Sequence, residues 1–250
     1  MVERKLALRW SPEQIAHWLR RTYPDAPAMH VSHETIYVSL FVQGRGALRR
    51  ELTQHLRTGR TMRRPRGAQN GRRQGRGQIK DAVSIRERPA EVEDRAVPGH
   101  WEGDLLFGAR GTAVGTLVER TSRYTLLFPV PDGYKAPVMR VTLARAVARL
   151  PQELTRSLTW DRGLEMAEHV RFTVDSGVQV YFCDPRSPWQ RGTNENTNGL
   201  LRQYLPKGAD LRAVPARQLD AIARELNGRP SETLGWRTPA EHFLALAQTG

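Results

Sequence analysis

The sequence predicts an α/β fold: a mixed sheet with flanking helices, preceded by a small all-α domain. Three observations predict it. From about residue 81 onward, short apolar runs and amphipathic stretches follow one another as three strands, helix, strand, helix, strand, helix, helix. A hairpin meander followed by βα crossings implies a mixed sheet with helices on its faces. Ahead of it lie three short helical patterns, and a stretch rich in arginine and glycine joins the two parts.

The first helix is signalled at Ser11-Pro-Glu-Gln14. Ser11 suits the cap, Pro12 the first helical position, and Gln14 completes a capping box. Ile15, Trp18 and Leu19 then fall on one stripe. Tyr23-Pro-Asp-Ala-Pro27 ends it. A second helix runs from Ser32 to about Phe41, with Ile36, Leu40 and Tyr37 facing inward. A third covers Ala47 to Leu56, with Leu48, Leu52 and Leu56 spaced by four. Three short helices in a basic setting read as a helix-turn-helix module, with the second helix offered to a major groove. Ser32, His33, Glu34 and Thr35 are then its candidate DNA-facing residues. A bundle used only for packing or dimerisation fits the same pattern.

Residues 57–76 hold eight arginines and no acid, punctuated by glycines. Such a segment cannot bury enough apolar surface to fold alone. Arg63, Arg64 and Arg66 suit phosphates or a minor groove; a solvated linker fits equally. The domains drawn are 1–58 (helix-turn-helix), 59–80 (linker) and 81–250 (catalytic).

Beyond the linker, Trp101–Phe107, Val114–Glu119 and Tyr124–Val130 read as strands, and Val138–Leu150 as a helix. Leu158–Trp160 is a short buried strand, Met166–Ser176 a helix and Val178–Phe182 a strand. Thr193–Tyr204 and Pro215–Asn227 read as the last helices.

The net charge of the 250 residues is +13. Residues 1–80 carry 17 Lys and Arg against 5 Asp and Glu; residues 81–250 carry 22 against 21. A one-sided positive field attracts polyanions, of which nucleic acid is the usual one. The single cysteine, Cys183, excludes an internal disulfide framework and suits a reducing cytosol. No apolar run is long enough to span a bilayer, and the first residues lack a signal-peptide core. A cytoplasmic, nucleoid-associated protein without a membrane partner is expected.

Three acids stand apart. Asp104 lies in an apolar strand, where Glu102 projects to the same side. Asp161 directly follows a short buried strand, at the carboxyl edge where α/β folds bind ligands. Glu195 opens a helix after a loop of Pro, Ser and Gly. Three carboxylates from two strand ends and a helix can hold two divalent cations for in-line displacement at phosphorus. Asp161 also fits a helix cap, and Glu195 a solvated partner of the helix dipole.

These residues lie in motifs that resemble a known family. His100-Trp-Glu-Gly-Asp104, Leu117-Val-Glu-Arg-Thr121, Thr159-Trp-Asp161-Arg-Gly163 and the block Cys183 to Asn196 are similar to insertion-sequence transposases of the IS-thirty branch. So are Trp10-Ser-Pro-Glu-Gln-Ile15, Val31-Ser-His-Glu-Thr-Ile-Tyr37, Leu226-Asn-Gly-Arg-Pro230 and Thr238-Pro-Ala-Glu241. That branch belongs to the retroviral-integrase-like DDE superfamily. The resemblance implies an RNase H-like fold with Asp104, Asp161 and Glu195 as catalytic metal ligands for two Mg²⁺ or Mn²⁺ ions. It implies cleavage of double-stranded DNA at element ends, joining of the freed 3′ hydroxyl to target DNA, and a homo-oligomer on DNA. Arg162, Arg191, Asn194 and Asn198 are candidates for positioning phosphates or the carboxylates. Members of the branch carry further helical DNA-binding sequence before Trp10-Ser-Pro, so the chain reads as N-terminally short. Ser231-Glu232 stands where basic residues are expected. The competing expectation is therefore a truncated, catalytically silent copy that binds DNA and regulates transposition.

Overall fold

The computed structural model describes residues 1–41, 79–92, 97–185 and 187–249. Arg63, Arg64, Arg66, the expected helix at 47–56 and the stretch 57–76 lie outside the described residues. The chain divides into two compact units: Met1–Gly71 with Gly228–Pro239, and Arg72–Asn227 with Ala240–Gly250.

In the first unit, α1 (Val2–Ala7), α2 (Pro12–Thr22) and α3 (His33–Phe41) are helical. The capping box forms as the sequence implies: Ser11 Oγ accepts from the Gln14 N–H at 3.1 Å, and Gln14 Oε1 accepts from the Ser11 N–H at 2.9 Å. Leu6, Trp10, Ile15, Leu19, Ile36 and Leu40 form one apolar cluster. The Lys5 ammonium lies 4.0 Å from the Trp10 ring centroid, and burial lowers its pKa. The segment Gly228–Pro239 joins this unit: the Gln14 amide donates to the Pro230 carbonyl at 2.8 Å, and His17 stacks on Trp236. Tyr37, expected inward, is exposed, while Ile36 and Leu40 on the same helix are buried.

The second unit holds a five-stranded sheet in the order β3-β2-β1-β4-β5. Its strands are β1 (His100–Phe107), β2 (Ala113–Glu119), β3 (Thr125–Val130), β4 (Ser157–Trp160) and β5 (Gln179–Phe182). β1, β2 and β3 pair antiparallel, while β1–β4 and β4–β5 pair parallel. The sheet is thus mixed, as the order of elements implies. Its helices are α4 (Ala136–Val147), α5 (His169–Ser176), α6 (Gly192–Leu201), α7 (Ala216–Asn227) and α8 (Pro239–Thr249). This RNase H-like arrangement, preceded by an all-helical part, is the fold class expected.

Alternation along β1 sorts the layers. Trp101 and Leu105 point to one face, where Leu117, Phe128, Met139, Leu143 and Phe172 build the larger core. Leu106 points to the other, against Val114, Leu127, Leu201, Leu219 and Ile222. Glu102 and Asp104 share that second face, under α6. Trp160 is fully buried, and its ring covers Gly103, where a Cβ would stand 2.1 Å from Trp160 Cζ3. Trp101 and Trp160 are core residues. Among the described residues, no helix is long and apolar enough to cross a membrane.

Candidate active site

Asp104 and Asp161 meet across the parallel pair β1–β4. Glu102 pairs with Thr159. Asp104 follows Glu102 by two residues in β1 and Asp161 directly follows β4, so both carboxylates stand at the same end of the pair. The side chains are three-quarters buried, 24% and 22% exposed. One guanidinium joins them: Arg191 Nη1 lies 3.3 Å from Asp104 Oδ1 and Nη2 lies 3.3 Å from Asp161 Oδ2. Arg191 Nη1 also donates to the Gly103 carbonyl at 3.0 Å.

Other donors complete the two carboxylates. Asp104 Oδ1 accepts from the Leu105 N–H at 2.9 Å, and its Oδ2 accepts from Asn198 Nδ2 at 2.9 Å. Asp161 Oδ1 accepts from the Gly163 N–H at 3.0 Å, the cap-like turn its sequence allows. Even so, burial raises the Asp104 carboxyl above its usual range; Arg191 opposes the shift and Asp161 adds to it. Burial works against the Arg191 charge, but the two aspartates outweigh it and raise its pKa. A single cation shared by two acids keeps itself charged and leaves Asp104 under-compensated.

A third carboxylate lies close by that the sequence reading missed. Glu165 Oε1 accepts from the Trp160 indole N–H at 3.1 Å. Burial raises its pKa; the indole opposes this, while Asp161 and Asp104 add to it. Gly163 makes room for this side chain, since a Cβ there would stand 2.2 Å from Glu165 Oε1. Nothing in the local pattern of Asp161-Arg-Gly-Leu-Glu165 marks that closeness.

Glu195 lies in the first turn of α6 and is exposed. Among the described residues, no three His, Cys, Asp or Glu side chains gather closely enough to hold a metal ion. Asp104, Asp161 and Arg191 are brought together, whereas Glu195 is exposed three residues before Asn198 in the same helix. Of the other candidates, Asn198 holds Asp104 and Asn194 accepts from the Thr116 hydroxyl at 3.1 Å. Arg162 is exposed, and its Nε donates to the Cys183 carbonyl at 3.2 Å. The Cys183 thiol is pushed up to about 11, mainly by burial, and is a packing group. Ser32, His33 and Thr35 are exposed on and before α3; Ser32 Oγ caps the helix by accepting from the Thr35 N–H at 3.0 Å.

The donor set suits a hard cation. Asp104 and Asp161 offer carboxylate oxygens, and beside them Asn198 Oδ1 is buried without a hydrogen-bond partner among the described residues. An oxygen-only, net negative cluster matches Mg²⁺ or Mn²⁺ chemistry.

Residues 94–188 match the integrase core domain family, a span that includes Asp104 and Asp161 and stops short of Glu195. The transposase for insertion sequence element IS1086 of Cupriavidus metallidurans is 52% identical over 96% of this chain and 70% of its own length. Transposase InsI for insertion sequence element IS30A of Escherichia coli is 46% identical over 96% of this chain and 63% of its own length. Among solved structures, the catalytic core domain of BIV integrase is 19% identical with a TM-score of 0.47, covering 60% of this chain and 97% of that one. Identity of this depth, along nearly the whole chain, reaches both the helical part and the sheet, and the chain belongs to the insertion-sequence transposases of the IS-thirty family.

Proposed function

We propose that this chain cuts double-stranded DNA at the terminal repeats of an insertion element and joins the freed 3′ hydroxyl to target DNA. Asp104, Asp161 and Glu195 are the carboxylates of the site, and they would hold two Mg²⁺ or Mn²⁺ ions. The observation that carries this reading is the meeting of Asp104 and Asp161 across β1–β4 around one cationic group. Two acids packed together, with burial raising the pKa of Asp104, mark a place built for positive charge. Divalent ions bound there supply activation of the attacking hydroxyl and stabilisation of the leaving oxygen.

The residues of the chain do the rest. Asn198 and the Leu105 N–H orient Asp104, and the Gly163 N–H orients Asp161. Arg191 and Arg162 sit where a phosphate diester at these carboxylates meets positive charge. Ser32, His33 and Thr35 on the exposed side of α3, with Arg63, Arg64 and Arg66, serve DNA recognition and backbone contact. The division into 1–58, 59–80 and 81–250 belongs to this proposal. So do a homo-oligomer on paired ends and a nucleoid-associated, cytoplasmic setting.

The test is cleavage and strand joining on duplexes carrying the flanking element ends, with Mg²⁺ or Mn²⁺ against EDTA and Glu195→Gln as control. Metal-dependent 3′ nicking that disappears in Glu195→Gln, while DNA binding persists, is the expected result. Binding without nicking by the wild-type chain would overturn it in favour of a catalytically silent regulator.

A further inference from the structure

Glu102 is fully buried two residues before Asp104 on β1, and the chemistry proposed above does not use it. A buried carboxylate is costly unless both oxygens are satisfied. Here both are. Oε1 accepts from Arg120 Nη1 at 2.5 Å, and Oε2 accepts from the backbone N–H of Asn194 at 3.1 Å. Arg120, also buried, is held in turn by the Val92 carbonyl, which accepts from its Nε at 3.2 Å.

Asn194 lies in the first turn of α6, immediately before Glu195. N–H groups in a first turn lack intrahelical partners and sit at the positive end of the helix dipole. Glu102 is therefore both acceptor and counter-charge for the start of this helix. One turn later, Asn198 donates to Asp104 at 2.9 Å. Two pins at positions 194 and 198 bracket Glu195. Slipping the helix by one residue would turn it by about 100° and shift it by about 1.5 Å, and would break both pins.

We propose that Glu102, charge-paired with Arg120, is a positioning residue that seats the first turn of α6 on β1 and so fixes where Glu195 stands relative to Asp104. The inference rests on reading Glu195 as a carboxylate that holds the metal. Glu102 acts through the helix.

The test replaces the buried pair in two ways, because Glu102→Leu alone would strand Arg120 and unfold the chain. Glu102→Leu with Arg120→Met gives an apolar pair of similar size, a change the fold tolerates, and removes the acceptor for Asn194. Glu102→Gln with Arg120→Met keeps that acceptor. Circular dichroism and a cooperative melt establish folding. Mn²⁺ affinity of the DNA-free protein, read by paramagnetic resonance, is the first readout, and the split between kcat and KM for end cleavage the second. Expected for the Leu–Met variant is a loss of Mn²⁺ affinity and kcat of about 10–100-fold, typical of groups that orient a ligand, with KM for DNA unchanged. The Gln–Met variant should retain Mn²⁺ affinity. A folded Leu–Met variant that binds Mn²⁺ like the wild type overturns the proposal, as does a folded Gln–Met variant that loses it. Glu195→Gln separates the two readings: if it too leaves Mn²⁺ affinity intact, the assignment of Glu195 to the metal fails rather than the seating of α6.

Discussion

Replacing Arg191 by glutamine tests whether its guanidinium stands in for a metal ion. Each of its two carboxylate contacts spans 3.3 Å. At an effective dielectric of about 20, each is worth about 5 kcal/mol of Coulomb attraction before desolvation is charged against it. Removing one partner of a fully buried pair costs about 3–5 kcal/mol. Both aspartates retain a fifth to a quarter of their exposure, so water relieves part of the loss, and about 2–3 kcal/mol is expected. For a chain of this size that is a fall in Tm of about 4–12 °C in EDTA. Metal works in the opposite direction. In the wild type, Mg²⁺ or Mn²⁺ competes with Arg191 for the same carboxylate oxygens; in Arg191→Gln it does not. At about 100 times Kd, bound metal contributes about 2.7 kcal/mol, enough to close the gap. Thermal melts of both proteins in EDTA and across a Mn²⁺ titration measure this, and the variant should bind Mn²⁺ more tightly. Equal melting temperatures in EDTA, or identical Mn²⁺ titrations, would refute the argument that Arg191 balances the aspartate charge.

Two further expectations concern the same sheet. Asp104 has a folded-state pKa above its usual 3.8, chiefly from burial, so the folded protein takes up its proton before the unfolded chain does. Its contribution to stability is therefore full below that ordinary value and is lost as pH rises through the raised one. In EDTA, wild-type Tm minus that of Asp104→Asn should grow as pH falls through this window, and a flat difference would contradict the assignment; saturating Mg²⁺ should remove the trend. Gly115→Ala addresses packing: a Cβ there would stand 2.0 Å from the Phe128 ring of its cross-strand partner. A loss of about 1–3 kcal/mol is expected from overpacking, partly recovered by adding Phe128→Leu; strict additivity in that double-mutant cycle would rule the clash out.

What sequence could convey here was what local chemistry decides. The apolar runs located β1 to β5 to within a residue or so, because strands buried on both faces are written as short hydrophobic segments. Helix ends were harder. A helix expected at Val138–Leu150 begins at Ala136, since Pro137 suits its first turn, and stops at Val147, ahead of Pro151. Asp104 and Asp161 were legible because a carboxylate within or just after an apolar strand has few structural uses. The partners of Arg191 were not, since a guanidinium at the start of a helix reaches a strand only once tertiary docking has chosen which strand. Glu165 and the pairing of Glu102 with Arg120 were hidden for the same reason. The period of a strand tells which side Glu102 faces and says nothing of the strand and helix that meet it there.

The docking of α6 did leave a trace, and it bears on why the site takes this form. Arg191, Asn194, Glu195 and Asn198 are spaced i, i+3, i+4, i+7, the stripe that an ordinary packing helix fills with apolar residues. Here the stripe is polar, and three of its four members bond to β1 or β2: Arg191 to Gly103 and Asp104, Asn194 to Glu102 and Thr116, Asn198 to Asp104. Leu201, further along, reaches the apolar core. The helix is thus anchored by hydrophobic packing at its far end and by directional bonds at its start. Hydrophobic contact is non-directional and tolerates small rotations, whereas charge-assisted hydrogen bonds fix distance and angle. A carboxylate that has to stand at a set distance from two others gains that accuracy only from the second kind of contact. On the proposed function, the polar stripe is the price of placing Glu195, and it accounts for a buried Glu102–Arg120 pair where an apolar one would serve the fold alone.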